Sequence, residues 1–227
     1  MQLLRSILYA LIFYPATFLF VLAGITATLF GTAATRRLVR SWASFSHELA
    51  SGLLGIDSEV RGDMPAGAML IAVKHESMYE TLEMVRIAET PVVVLKRELS
   101  RIPLFGWLTR QYGVIPVDRS AGPKALREMI AAGRHAAVSD RAVVIYPEGT
   151  RVRPGESPPL RPGFAGLYRA LGLPVVPVAV DSGRLWGKGL LKRGGTIHFL
   201  IGETIPAGLK RDEIEARVHA AINALQP

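Results

Sequence analysis

The chain has 227 residues, 49% of them hydrophobic and 20% charged, enough to bury a core and too apolar for disorder, collagen or coiled coil. It has no cysteine, which excludes disulfides, Cys-ligated zinc, iron–sulfur clusters and a Cys nucleophile. Lys and Arg number 27 against 19 Asp and Glu, a net charge of +8, which suits nucleic acid, anionic lipid or an acidic protein.

The N-terminus decides for lipid, and no nucleic-acid partner is expected. Between Arg5 and Arg36 lie 30 residues without a charge, SILYALIFYPATFLFVLAGITATLFGTAAT. A bilayer core needs about 20 apolar helical residues, whereas a signal peptide has an apolar region of about 7–15. The run therefore predicts a spanning or embedded helix. Arg36, Arg37 and Arg40 follow it and only Arg5 precedes it, which points the C-terminal side to the cytoplasmic face of an inner membrane. Beyond it, Leu38, Trp42, Phe45, Leu49 and Leu53 recur at helical spacing, with Arg37, Arg40, Ser44 and Glu48 on other faces. This predicts an amphipathic helix, lying at the lipid interface or packed on its own domain. Gly31 supplies a turn between the two helices. Residues 1–55 read as a two-helix membrane anchor and residues 56–227 as a second domain.

After Gly55, short β-rich runs alternate with helical periodicity. Strands are expected at residues 68–73, 91–95, 113–117, 142–146, 174–180 and 195–203, and helices at 78–89, 123–138, after Gly163 and at 210–225. The alternation predicts an α/β fold with a mixed, largely parallel sheet flanked by helices. Residues 153–163, with four prolines and two glycines, read as loop.

Four segments carry candidate chemistry, at the strand ends where open α/β sheets place ligands. In VKHESMYE, His75 follows a strand and Glu80 comes five positions later. If His75 lies in the turn and Glu80 in the first helical turn, the carboxylate reaches back to the imidazole and orients a base. Ser77-x-x-Glu80 is also a capping box, which accounts for Glu80 without catalysis. A zinc-protease His-Glu-x-x-His is ruled out, because Tyr79 stands where the second His is needed. In GVIPVDRS, Arg119 ends a strand and suits an anion. In YPEGTR, Gly149 permits close backbone approach, and Thr150 and Arg151 offer donors for a phosphate. In LPVVPVAV, two prolines place the strand at a sheet edge or beside a ligand. A serine hydrolase is disfavoured by the lack of a Gly-x-Ser-x-Gly elbow. An inactive membrane scaffold leaves the strand-end His and Arg residues unexplained.

In this order and spacing, the four segments resemble the motif blocks of the glycerolipid acyltransferases. The family's Asn-His-x4-Asp reads here Lys74-His75-x4-Glu80, and its Pro-Glu-Gly-Thr-Arg falls at residues 147–151. The segment KRELSRIPLFGW, from Lys96 to Trp107, resembles the stretch before the second block. Two departures stand out: Lys74 replaces Asn, and Glu80 replaces Asp. The resemblance implies direct acyl transfer from a thioester, acyl-CoA or acyl carrier protein, to the sn-2 hydroxyl of 1-acyl-sn-glycerol-3-phosphate, giving phosphatidic acid. Another lysolipid, such as lyso-ornithine lipid, is the alternative acceptor. His75 is then the base and Glu80 its orienting anion, while Lys96, Arg119, Glu148, Gly149, Thr150 and Arg151 form the acceptor site. The fourth block is expected near the acyl chain, and no metal or cofactor is implied beyond the acyl donor as co-substrate. Arg184, Trp186, Lys188, Lys192 and Arg193, in the acid-free stretch 182–202, are expected to rest on anionic headgroups.

Overall fold

A computed structural model describes residues 1–118 and 122–226. Helix α1 (Gln2–Leu29) turns at Phe30 and Gly31 into α2 (Thr32–Leu49), which widens into a π turn over Ala50–Leu54 and stops at left-handed Gly55. Then follow β1 (Ile56–Arg61), β2 (Leu70–Val73), α3 (Tyr79–Ile87), β3 (Val92–Lys96), α4 (Phe105–Tyr112), β4 (Ile115–Val117) and α5 (Pro123–Val138). The chain continues with β5 (Val143–Ile145), α6 (Pro162–Leu171), β6 (Val175–Val180), β7 (Gly195–Ile201) and α7 (Arg211–Ile222). Each expected strand and helix is present, most of them trimmed by one to three residues. Two elements had not been expected. β1, IDSEVR, is an edge strand with only Ile56 buried, so its sequence is too polar to announce itself. α4 is only eight residues long and lies within the KRELSRIPLFGW stretch and just after it.

The seven strands form one sheet in the order β1-β7-β6-β2-β5-β3-β4. β6 and β7 pair antiparallel and every other pair is parallel, so the sheet is mixed and largely parallel, as expected. Successive side chains of β2 go to opposite faces, as a strand's two-residue period requires. Ile71 and Val73 join the core under α1, α2 and α3, while Leu70 and Ala72 join the core under α5, α6 and α7. Both layers are needed because the central strands are apolar on both sides.

The fourth block corrects an expectation. β6 is a central strand, buried at all six positions, and is not a sheet edge. Pro177 is accommodated because the ladder is broken there: Val175 bridges Ile205, and regular pairing with β7 resumes only at Val178 opposite Ile201. The missing proline N–H falls in that gap, while its carbonyl still accepts from Gly202 N at 2.9 Å.

α1 and α2 are packed on the sheet domain rather than held apart from it. One stripe of α1 is buried along its length, at Ser6, Tyr9, Phe13, Val21 and Gly24. The residues of α2 that pack most closely are small ones, Thr35, Ala43 and Ser46, with Trp42 and Leu49 partly covered. The outward side of α1 is apolar and exposed, including Leu4, Leu11, Tyr14 and Leu19. The helix is long and apolar enough to cross a membrane, and this exposed surface is of the kind that associates with one.

Candidate active site

β2 ends at Val73 and its ladder runs one bond further, Lys74 N to Val178 O at 3.0 Å. The chain then turns, putting His75 at the C-terminal edge of the sheet beside the loop that leaves the neighbouring β5. α3 begins four residues later. Glu80 sits in its first turn and reaches back: His75 Nδ1 lies 2.9 Å from Glu80 Oε1. The same oxygen accepts Glu76 N at 2.8 Å and Ser77 N at 2.7 Å. The other oxygen accepts the hydroxyls of Ser77 at 2.6 Å and Ser182 at 2.7 Å. Ser77 Oγ accepts Tyr79 N at 2.9 Å, two residues on, so only the Glu80-to-Ser77 N half of the capping box is made. One carboxylate thus caps the helix and orients the histidine.

Burial by itself would raise the Glu80 carboxyl, but the hydrogen bond and charge of His75, with the two serine hydroxyls, outweigh it and hold the group below its usual range. An ionised carboxylate only accepts, so His75 Nδ1 is the donor, and in the neutral imidazole the lone pair falls on Nε2. The His75 side chain is 11% exposed, and the Tyr146 ring lies over it at 4.2 Å between centroids. The arrangement is a base with one open nitrogen, held by a buried anion.

The loop after β5 supplies the rest. Glu148, placed in the acceptor site by the resemblance, is turned inward: its oxygens accept Lys74 Nζ at 2.7 Å and His75 N at 3.0 Å. Gly149 is left-handed, with φ of 72°, and a Cβ there would fall 2.9 Å from Arg161 Cγ. Val152 N bonds His75 O at 2.7 Å, which brings exposed Thr150 and Arg151 alongside the histidine. Arg151 forms no hydrogen bond or ion pair among the described residues, and its charge reaches both Tyr146 and Lys192. Lys96 ends β3, two strands from β2, half exposed and paired with Glu98 at 3.2 Å; at about 4.8 Å per strand, β3 lies about 10 Å to the side of β2. Arg119 lies outside the described residues.

Ser182 had been missed. Its signal was its place directly after a strand and one residue, β6 and Asp181, at the edge that carries the other site residues. The 182–202 stretch also corrects a reading. Trp186 is buried between Tyr9 and Tyr79, each at 5.3 Å, and does not reach headgroups. Lys192 folds back onto the carbonyls of Gly187 and Gly189 and over the Trp186 ring. Burial, then the charge of Arg151, lowers its pKa. Arg184 pairs with Asp181, and Lys188 and Arg193 are exposed. Away from the histidine, an apolar cavity of about 120 Å³ lies between α1, α2, α3, β3 and α4, lined by Phe20, Trp42, Leu82, Val93 and Leu108 among others.

The mixed α/β sheet thus carries an oriented histidine at its strand ends, with Arg151, unpaired among the described residues, on the neighbouring loop. The chain belongs to the Acyltransferase family, which it matches over residues 57–181. It is 34% identical over 211 residues to the 1-acyl-sn-glycerol-3-phosphate acyltransferase of Pseudomonas aeruginosa, covering 91% of this chain and 82% of that one. The enzyme of the same name from Saccharomyces cerevisiae is 26% identical over 221 residues, 93% of this chain and 72% of that one. The crystal structure of the 1-acyl-sn-glycerophosphate (LPA) acyltransferase from Thermotoga maritima superposes with a TM-score of 0.77 over 99% of this chain and 98% of that one. At 23% identity, that likeness establishes the shared fold.

Proposed function

We propose that this enzyme moves an acyl group from a thioester to the free sn-2 hydroxyl of 1-acyl-sn-glycerol-3-phosphate, forming phosphatidic acid. The observation that carries the reading is the His75–Glu80 pair with Nε2 left open, in a chain whose curated relatives bear that activity in their names. As the hydroxyl oxygen attacks the thioester carbonyl, His75 Nε2 takes its proton, and Glu80 stabilises the imidazolium. The C–S bond then breaks. A thiol has an ordinary pKa of about 8.5, so the thiolate leaves readily and recovers the proton from His75. No covalent enzyme intermediate is required. Arg151, unpaired among the described residues, supplies a cation for the acceptor phosphate, and a phosphate-free lysolipid would leave it without a partner.

Both acyl-CoA and acyl carrier protein are acidic donors. The exposed side of α5 presents Lys124, Arg127 and Arg134 without ion pairs among the described residues, which suits either. The apolar side of α1 and the exposed bases Arg37 and Arg40, the latter also paired with Glu89 at 3.5 Å, support a seat on the cytoplasmic face of the inner membrane. The test is purified protein with lysophosphatidate and each donor, the product identified by mass. Phosphatidate should form, and His75→Ala should lower turnover by about 10²–10⁴-fold. No product with either donor, or an Ala variant of normal turnover, would sink the reading.

A further inference from the structure

Lys74 stands where the family pattern has Asn, and it is fully buried. A buried ammonium is costly unless all its donors are met. Here three donors meet three acceptors, Glu148 Oε1, Glu156 O and Asn223 Oδ1, each at 2.7 Å. Asn223 is fixed in turn, its amide donating to His219 O at 2.8 Å. Three residues on, Gln226 bridges two loops: it accepts Gly155 N at 2.7 Å and donates to Glu76 Oε1 at 3.0 Å. Glu76 Oε2 accepts Gly183 N at 2.8 Å, next to the Ser182 that bonds Glu80.

Docking of α7 does not require these bonds. Ile214, Val218 and Ile222 are each fully buried and already hold the helix on the sheet. The polar contacts come after Ile222 and end on the turn that carries His75, not on the core. We propose that Lys74, Asn223 and Gln226 are positioning residues for His75: they fix Glu148 and Glu76, and through them the backbone of the histidine turn. A misplacement of 1 Å can cost about 10²-fold in rate, so such a brace acts on turnover and leaves substrate binding nearly unchanged.

The proposal rests on the acyl-transfer reading, and three variants separate the two. Lys74→Met leaves the Glu148 charge buried without its partner, and kcat should fall about 100-fold while KM for both substrates stays within about threefold. Adding Glu148→Gln removes that charge but still accepts the His75 N–H, so it should recover about tenfold of the loss. Asn223→Ala/Gln226→Ala leaves one Lys74 donor unmet, so the melting temperature should fall by several degrees with the protein still folded, while kcat falls about tenfold and KM for both substrates stays within about threefold. If Lys74→Met does not fold, the last variant decides alone. Wild-type kcat in the Asn223/Gln226 variant, or a Lys74→Met loss that appears in KM and is not recovered, overturns the positioning role while the acyl-transfer reading stands. Absence of any transfer by the wild-type chain overturns that reading instead.

Discussion

Glu80 takes five hydrogen bonds from four residues, and those bonds divide between two tasks. From sequence, Ser77-x-x-Glu80 could be read as a cap or as part of a catalytic pair. The geometry makes these one reading, because Ser77 N and His75 Nδ1 converge on the same oxygen. Glu80→Gln tests the charge separately from the bonds. A glutamine keeps the oxygen for the three N–H donors, and its amide can donate to the two serine hydroxyls, so stability should fall by only about 1–2 kcal/mol. Turnover should fall about 100-fold, because the imidazolium loses its counter-charge. The folded Glu80 carboxyl titrates below its unfolded value of 4.5. Its stabilisation is therefore present above pH 4.5 and lost as pH falls through the lower folded value. The gap in melting temperature between wild type and Glu80→Gln should shrink from pH 7 to pH 3, and a constant gap would remove the ionic role. Arg151 gives a second prediction at this scale. It is exposed and unpaired among the described residues, so Arg151→Ala should leave stability alone. The KM for lysophosphatidate should rise about tenfold to a hundredfold, as loss of a charge-assisted bond of about 1.5–3 kcal/mol requires, with the donor KM unchanged. An equal rise for a phosphate-free lysolipid would show that Arg151 does not bind the phosphate.

Among elements, the central strands were legible because they are apolar on both faces. β1 and α4 were not, since an exposed edge strand and an eight-residue helix carry little periodicity. Pro177 misled for a related reason: proline reports a missing ladder bond, and a sequence does not say whether the gap is an edge or a break between two partners. Trp186 misled because its partners are remote. An acid-free, basic loop with a tryptophan looks like an interface anchor, yet Tyr9 of α1 and Tyr79 of α3 enclose the ring. That contact joins the first helix to the helix bearing Glu80. Trp186→Ala should therefore cost about 3–5 kcal/mol and expose α1 to limited proteolysis before the rest of the chain. A variant with the wild-type melting temperature and α1 still protected would show that the contact carries little.

At the scale of the whole molecule, the sheet separates two unlike surfaces. One side carries α5, α6 and α7 with a charged exterior; the other carries α1, α2 and α3, and α1 turns Leu4, Leu11, Tyr14 and Leu19 outward. The apolar run announced a membrane segment but not its pose, because an uncharged helix has no polar side to mark which stripe meets protein. The structure supplies that stripe, from Ser6 to Gly24. A helix of 28 residues is about 42 Å long, and its buried stripe meets the domain along most of that length. Cutting α1 away would uncover Trp186 and Leu108, so deletion confounds anchoring with folding. Charging its outer side does not. Leu11 and Leu19 are 66% and 63% exposed, and neither belongs to the buried stripe. Leu11→Asp/Leu19→Asp should keep the melting temperature of the detergent-solubilised protein, while each aspartate weakens membrane partition by up to about 3 kcal/mol at mid-helix depth. Wild-type chain should resist a high-salt wash of anionic vesicles and leave only with detergent, because apolar contact rather than headgroup charge holds it. The double variant should appear largely in the salt wash and lose turnover on vesicle-presented lysophosphatidate, while keeping it in mixed micelles. Release of wild type by salt alone, or retention of the variant as firmly as wild type, would mean that the outer side of α1 is not what meets the lipid.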